Sequence, residues 1–266
     1  MRCGPWWDLL WMGNAMSNAI AFRPSQNRRM PAAGQINGTG FPFDIRVASS
    51  DATRKEIFAL RYRAYRALGY VEENTDATFT DANDALNSTF VFGAYVDNVC
   101  IGTLRVSFSQ AHQDQSSLPC APYYPEVADL KCAALGPLVE MSRLAVDPAF
   151  TSTSFRTTLF AALVRAGFLA AQAADVSTIL IATKPEFSRF YQYMLGFKVI
   201  GQPAAYPPGD HRIVLLAGSF SQAELRQSAQ NAFFKITEEE IASMKAALGP
   251  ALAPQLPAPL KIAAGI

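Results

Sequence analysis

From residue 138 onward, apolar strand patterns alternate with amphipathic helix patterns, and this alternation restricts the folds that the chain can adopt. The predicted elements are a strand at Leu138–Val146, a helix at Phe155–Ala173, a strand at Ser177–Thr183, a helix at Pro185–Met194, and strands at Phe197–Ile200 and Ile213–Leu216. Strands separated by helices form sheets that are covered on both faces. The sequence therefore predicts an α/β fold with a mixed central sheet and helices on both faces.

The segment before residue 138 extends this sheet. Its predicted elements are a strand at Phe43–Ala48, a helix that begins after the N-cap signal Ser49-Ser50-Asp51 and runs to about Leu68, and strands at Thr89–Tyr95 and Val99–Phe108. Asp97-Asn98 lies between the last two strands and predicts a hairpin turn. The proline-containing stretch before Leu138, about 29 residues, predicts a long loop that serves as a lid or channel wall.

The two ends of the chain are predicted to lie outside this domain, which spans residues 41–220. Residues 1–40 show no sustained period and predict an N-terminal arm. Residues 221–266 predict a helical extension followed by an Ala/Pro-rich tail. This extension has one helix near Gln222–Ala232 and a second that begins at the capping box Thr237–Glu240 and ends at Gly249-Pro250.

Charge and composition exclude several classes of function. The formal net charge of +1 argues against a protein that binds nucleic acid through bulk charge. The four cysteines have no CxxC spacing and there are two histidines, so we predict reduced cysteines in a cytoplasmic protein, with no metal site and no bound cofactor. No run approaches the roughly 20 apolar residues that span a bilayer, although Trp6, Trp7 and Trp11 leave membrane contact of the arm as an open question.

The predicted strand Leu138–Val146 contains three polar side chains, Glu140, Ser142 and Arg143. Burying an unpaired charge costs several kcal/mol, so these groups must have partners. Two interpretations follow. The residues belong to a functional site, or they form a salt bridge that pins the sheet.

This strand also carries a resemblance. Glu140-x-Ser142-Arg143-Leu144-Ala145-Val146 resembles the central strand of LuxI-type acyl-homoserine-lactone synthases and of the related FeeM-type N-acyl amino acid synthases. Further segments resemble motifs of these families in the same order: Arg61-x-x-Ala64-Tyr65, Leu68-Gly69-Tyr70, Asp81-x-x-Asp84, Gly102-Thr-Leu-Arg105, Leu118-Pro119 and Phe190-Tyr191-x-x-x-Leu195-Gly196-Phe197. The resemblance covers roughly residues 43–217 and implies the fold of the GCN5-related N-acetyltransferases (GNAT fold), with a splayed pair of central strands.

The resemblance implies an enzyme that moves a fatty acyl chain from acyl carrier protein to the α-amine of an amino acid. Glu140, Ser142 and Arg143 are the expected catalytic residues, with Glu140 as the base that acts directly or through water. The expected substrate-binding residues are Arg61, Tyr65, Tyr70, Asp81, Asp84 and Arg105. The arginines are candidates for a fork that holds the substrate carboxylate. The two aspartates could instead pair with the arginines, or they are solvated loop acids or a helix cap.

Two positions depart from the pattern of ordinary N-acetyltransferases. The loop after the central strand, residues 148–156, has no glycine, whereas a glycine-rich turn normally lets backbone N–H groups approach the pyrophosphate of coenzyme A. We therefore predict a site for the single phosphodiester of a carrier protein's phosphopantetheine, or else an ordinary helix N-cap, formed by Thr151, Ser152, Thr153, Ser154 and Arg156. The second position is Tyr191, a candidate acid for the departing thiolate or a packing aromatic. It precedes Gly196 by five residues where four is commoner.

The amino acid synthase branch is favoured over the lactone synthases. Tyr70 occupies a position where lactone synthases have Trp, and these enzymes lack the Tyr-x-x-x-Leu-Gly-Phe ending. Three alternatives stay open: a lactone synthase that uses S-adenosylmethionine, an enzyme that acylates ornithine, and a non-catalytic acyl-carrier sensor. The expected protein partner is the acidic carrier, which would dock on a basic patch formed by Arg156, Arg165, Lys184, Arg189 and Lys198.

Overall fold

A mixed sheet of eight strands organises the molecule, for which a computed structural model describes residues 43–109, 118–134, 137–208, 211–219 and 235–249. The strands are β1 Asp44–Val47, β2 Thr89–Val96, β3 Val99–Phe108, β4 Leu138–Val146, β5 Thr178–Thr183, β6 Lys198–Val199, β7 Ala204–Ala205 and β8 Arg212–Ser219. The helices are α1 Asp51–Ala67, α2 Glu126–Ala134, α3 Thr153–Ala173, α4 Pro185–Leu195 and α5 Glu238–Leu248. The mixed α/β sheet that the sequence predicted is confirmed.

Strands β4 and β5 are the parallel pair of a sheet that is otherwise antiparallel in its described pairings. The strand order is β1-β2-β3-β4-β5-β8-β6, with β7 pairing on β8. The register runs from Leu138 opposite Thr178 to Met141 opposite Ile181 and stops there, although both strands continue. The predicted splayed pair is confirmed, and the gap between the strands opens beyond Met141.

Helix α1 forms as its capping signal predicts. The Ser50 side chain accepts a hydrogen bond from the Thr53 backbone N–H, which completes a capping box. Ile57, Leu60 and Ala64 are buried against the sheet. Leu68, where the sequence predicted the helix to end, is 63% exposed because the helix ends at Ala67 and Leu68 is its C-cap.

Helices cover both faces of the sheet, as predicted. Helix α3 packs on one face, and residues of α5, including Met244 and Leu248, join the same apolar core. Arg165 of α3 donates to both carboxylate oxygens of Glu240 at 2.7 and 2.9 Å, which ties the two helices together. Arg165 is buried in this ion pair, so its predicted place in a surface docking patch is wrong.

The proline-containing stretch before β4 is not wholly a loop. It contains helix α2, which begins directly after Pro125, a residue tolerated at helix starts because its missing N–H needs no partner there. Cys120, Tyr124 and Val127 from this stretch pack with Leu180 on the face of the sheet opposite α3. None of its described residues lines the cavity between β4 and β5, so this part of the stretch covers the sheet.

Several predictions fall outside the described residues: the N-terminal arm, the helix near Gln222–Ala232 and the Ala/Pro-rich tail. Helix α5 begins at its Thr237 capping box and ends before Gly249, as predicted. Across the described ranges, no helix combines the length and the apolar character that crossing a bilayer demands. The same ranges contain no group of three His, Cys, Asp or Glu side chains placed to hold a metal ion.

Candidate active site

A β-bulge lies at the polar segment of β4. Thr103 of β3 pairs with Ala145 and Arg105 with Ser142, so a single β3 residue lies opposite both Arg143 and Leu144. Arg143 has a φ of 54°, a left-handed conformation that costs a non-glycine residue about 1 kcal/mol or more. Because of the bulge, six consecutive residues, 141–146, line one cavity, which the alternation of a regular strand would not allow.

This cavity has a volume of about 590 Å³ and occupies the gap between β4 and β5. Its walls come from β4, β5, the end of α1, the start of α3 and helix α4. Most of the surface is apolar, with Leu104, Met141, Phe160, Val164, Ile181 and Phe190 among the lining residues. The size is within the usual range for a small-molecule site, and the apolar walls suit a hydrocarbon chain.

Behind the bulge lies an arginine–aspartate cluster, formed by Arg61, Asp81, Asp84, Arg105 and Arg143. Asp81 accepts from Arg105 Nη1 at 2.6 Å and from Arg143 Nη2 at 2.6 Å. Asp84 accepts from Arg61 Nη1 at 2.8 Å. Burial alone would raise the pKa of Asp81, but Arg105 and Arg143 outweigh burial and hold it well below its usual value. The aspartates therefore pair with the arginines, and Asp81 is also the N-cap of the short helix Ala82–Ala85, so pairing and helix capping, two of the interpretations of their sequence pattern, are both confirmed.

This pairing limits which arginines can reach a substrate. Arg61 and Arg105 are fully buried and do not line the cavity, and burial lowers the pKa of Arg61 although Asp84 acts in the opposite direction. Arg143 lines the cavity, but its guanidinium donates to Asp81 and, at 2.9 Å, to the Pro207 carbonyl. The carboxylate fork that the sequence suggested is thus engaged within the protein.

Glu140 lies on the opposite face of β4 from Met141 and is completely buried. Its Oε2 accepts from the Cys120 backbone N–H at 2.7 Å and its Oε1 accepts from the Tyr206 hydroxyl at 3.0 Å. Tyr206 lines the cavity, whereas Glu140 does not. Burial and the nearby Glu140 carboxylate raise the pKa of Tyr206 well above its usual value. The Tyr206 hydroxyl therefore stands between Glu140 and the cavity.

No sequence motif pointed to Tyr206. It follows the two-residue strand β7, outside the segments that resemble known motifs, and it lies 66 positions from Glu140 along the chain. Ser142, which the sequence did identify, lines the cavity and accepts from Arg105 Nε at 3.1 Å. Its hydroxyl is therefore held by a buried arginine, and its catalytic role stays a prediction.

The loop after β4 places its hydroxyl groups at the start of α3. Thr151, Ser152, Thr153 and Ser154 are all exposed, and Ser152 is the N-cap, accepting from the Phe155 N–H at 3.5 Å. Thr153 and Arg156 line the cavity. The N-cap interpretation is confirmed for Ser152, and the proposed phosphodiester site stays a prediction for the group as a whole.

Aromatic and basic side chains form the rim of the cavity. The Tyr65 and Tyr70 rings lie 6.0 Å apart, and the Tyr70 ring is 4.4 Å from the His211 ring. Lys184 Nζ lies 4.4 Å from the centre of the Tyr70 ring. The sequence identified both tyrosines as substrate-binding candidates, but it assigned Lys184 to carrier docking and gave His211 no role.

Tyr191 lines the cavity from α4 and is almost completely buried. Burial raises the pKa of Tyr191, and a hydrogen bond with the Thr183 side chain acts in the opposite direction. The phenol is therefore protonated at neutral pH, which an acid for a departing thiolate requires, although the structure equally accommodates a packing role.

Comparison with known proteins places this site in a family. The family model described as N-acyl amino acid synthase FeeM matches residues 56–219, more than half of the chain. The solved structure of FeeM, an N-acyl amino acid synthase from uncultured soil microbes, is similar with a TM-score of 0.56 and 21% identity, over 70% of this chain and 97% of that one. The acyl-homoserine-lactone synthase LasI gives a TM-score of 0.55 and 17% identity, over 74% and 98%.

A sequence comparison with curated proteins found no match. The structural likenesses show that the fold is the GNAT fold, as the sequence resemblance implied. With a family model that spans the bulged strand, the cavity and most of the sheet, the protein is an acyltransferase. The chain belongs to the FeeM family of N-acyl amino acid synthases.

Proposed function

We propose that the protein transfers a fatty acyl group from the thioester of acyl carrier protein to the α-amine of an amino acid, releasing an N-acyl amino acid and the free carrier. The observation that supports this most is the apolar cavity at the gap between β4 and β5, bordered by the polar bulge of β4. A thioester that enters the gap would have its chain against apolar walls and its carbonyl beside the bulge.

The loop at the start of α3 supports a carrier protein as the donor. It has no glycine, and none of residues 147–156 has a positive φ. A backbone without glycine cannot approach a diphosphate as closely as the usual turn does. Exposed hydroxyls and Arg156 suit the single phosphodiester of phosphopantetheine, and Arg156, Arg189 and Lys198 remain exposed for an acidic carrier.

The Tyr206–Glu140 pair supplies a route for the proton of the acceptor amine. An α-ammonium must first lose a proton to solvent, because its pKa lies above neutrality. As the neutral amine attacks the thioester carbonyl, a second N–H proton passes to the Tyr206 oxygen while the Tyr206 proton passes to Glu140 Oε1. The C–N bond forms and the C–S bond breaks. The thiolate takes a proton, for which Tyr191 is the candidate donor.

Two elements would stabilise the transition state. Backbone N–H groups freed from the ladder by the bulge are candidates to bind the oxyanion, the negative charge that develops on the carbonyl oxygen when the amine attacks the carbonyl carbon. The arginine–aspartate cluster holds Ser142 and the bulge in place through Arg105 and Arg143. In this proposal the cluster positions the reacting strand, and Glu140 with Tyr206 handles the proton.

The test compares two donors that carry the same dodecanoyl group, one on acyl carrier protein and one on coenzyme A. The acceptors are the twenty amino acids, ornithine and S-adenosylmethionine, and the products are identified by mass spectrometry. We expect N-dodecanoyl amino acids, with kcat/KM at least about 10-fold higher for the carrier. Equal values for the two donors would contradict the carrier assignment. If the product is a lactone formed from S-adenosylmethionine, the protein is a lactone synthase. If acylated ornithine is the sole product, ornithine is the acceptor. If the protein binds the acyl carrier but forms no product, it is the non-catalytic acyl-carrier sensor instead.

A further inference from the structure

The cavity is basic, and most of its cations are already engaged. Its described lining includes no Asp or Glu, and its basic side chains are Arg143, Arg156, Lys184 and His211. Arg143 donates to Asp81 and to a backbone carbonyl. Arg156 donates through Nη1 to the Phe150 carbonyl at 3.0 Å, and the proposed function assigns it to the phosphodiester of the donor. Lys184 is the remaining lysine or arginine of the lining.

Lys184 is placed to meet a ligand at the rim. It is the first residue after β5 and directly precedes α4, so it lies where the gap between β4 and β5 opens. Within the described part of the chain, no carboxylate lies within 4.0 Å of its Nζ. Its contact is the face of Tyr70 at 4.4 Å, which orients the ammonium and leaves its N–H donors available.

The acceptor needs such a cation. An amino acid carries its carboxylate one carbon from the reacting amine, and a carboxylate in an apolar cavity is unstable without a partner. Arg61 and Arg105 are fully buried behind the cavity, Arg143 is engaged, and Arg156 is assigned to the donor, so none of these four arginines is left for the acceptor carboxylate. Tyr206 and Lys184 line the same cavity, as an acceptor with its amine at the first and its carboxylate at the second requires.

We propose that Lys184 binds the carboxylate of the acceptor amino acid, with the Tyr70 and His211 rings as the walls of this subsite. The proposal rests on the proposed function, because it takes the acceptor to be an amino acid. It assigns acceptor recognition to the junction of β5 and α4, and it leaves the phosphodiester of the donor to the loop before α3.

The test measures how strongly the enzyme prefers an amino acid over its carboxamide, which lacks the negative charge. We expect a preference in kcat/KM of about 10-fold or more for the wild-type protein, the usual size of a charge-assisted hydrogen bond. The preference should fall to near 1 in Lys184→Met and persist in part in Lys184→Arg. The control is Lys55→Met, an exposed lysine on α1 away from the cavity, which should keep the wild-type preference.

A binding measurement makes the test independent of turnover. Calorimetry compares N-dodecanoyl-alanine with its carboxamide on the wild-type protein and on Lys184→Met. Loss of the carboxylate preference in the variant supports the proposal. A preference that survives in Lys184→Met overturns it, and so does a variant whose sole defect is a higher KM for the acyl carrier, because Lys184 then serves the donor phosphate. If the wild-type protein acylates no amino acid, the proposed function is wrong, and the calorimetric ratio still decides the role of Lys184.

Discussion

Two regions beside β4 contain carboxylates, and different kinds of groups stabilise the carboxylates in each region. In the arginine–aspartate cluster, Asp81 and Asp84 lie against three guanidinium groups at ion-pair distances. On the same face, nearer the start of the strand, Glu140 has neutral donors, the Cys120 N–H and the Tyr206 hydroxyl, and no described arginine or lysine within 4.0 Å. A proton arriving at either aspartate would break an ion pair, whereas a proton arriving at Glu140 would not. The cluster is therefore suited to holding the fold, and Glu140 is suited to accepting a proton during the reaction.

The largest expected effect is on turnover, from Glu140→Gln. The amide preserves volume, its oxygen can accept from the Cys120 N–H and its NH2 group can donate to the Tyr206 oxygen, but it cannot take a proton. We expect kcat to fall by about 10²–10⁴, the usual contribution of general-base catalysis, with the melting curve nearly unchanged. Raising the pH should restore part of the rate, because solvent then accepts the amine proton more readily in place of Glu140. A folded variant with near-normal turnover would make Glu140 a structural residue like its counterparts in the cluster.

Asp84→Asn should have the opposite profile, with its effect on stability. It leaves the fully buried Arg61 without a counter-charge, and breaking a buried pair in this way costs about 3–5 kcal/mol of unfolding free energy. Urea denaturation monitored by circular dichroism measures the loss. The matched control is Asp175→Asn, in an exposed pair with Lys245, for which we expect at most about 1 kcal/mol. Similar losses for the two variants would mean that the cluster does not hold the fold.

Tyr206→Phe tests whether the hydroxyl between Glu140 and the cavity takes part in the reaction. We expect kcat to fall by about 10-fold or more, a smaller loss than for Glu140→Gln because water can replace a hydroxyl as the bridge. Tyr124→Phe is the control, since Tyr124 is also buried on this face and donates to the Ile213 carbonyl, but it does not line the cavity. It should lose stability and keep kcat. Equal kcat values for the two variants would remove Tyr206 from the mechanism.

The smallest expected effect is the pH dependence of stability in Asp81→Asn. The folded-state pKa of Asp81 lies below its unfolded value, so its contribution is complete above the unfolded value and is lost as the pH falls below about 4. We therefore expect the variant to be less stable than wild type by about 1.5 kcal/mol at pH 7, with the difference shrinking below pH 4. Denaturation curves across this range measure it. A difference that grows as the pH falls would contradict the ion-pair assignment.

The sequence predicted most accurately those strands and turns whose signal lies within the element itself. The bounds of β4 were exact because apolar residues run unbroken on both sides of its polar triplet, and the Asp97-Asn98 turn has the two positive φ values that such pairs favour. Helix α2 was missed because its flanking prolines suggest a loop.

Contacts between distant segments were beyond the sequence. Arg165 was expected at the surface because it is charged, and its partner Glu240 lies 75 positions away. Tyr206 and Lys184 belong to no motif, and they meet the cavity because β5, β7 and β8 bring their flanking residues to the same end of the sheet. The chemistry on β4 was therefore predictable, whereas the groups that surround it required the fold.

The buried ion pair between α3 and α5 joins to the folded domain a helix that lies beyond the segment matched by the family model. The family match stops at residue 219, yet Met244 and Leu248 of α5 are buried in the main core and Glu240 neutralises Arg165. A protein truncated at residue 219 would expose that apolar surface and would remove the Glu240 carboxylate from the buried Arg165 guanidinium. The segment that the family model matches is sufficient to recognise the family, but in this chain it is not sufficient to close the core. Helix α5 completes the hydrophobic interior from outside the matched segment.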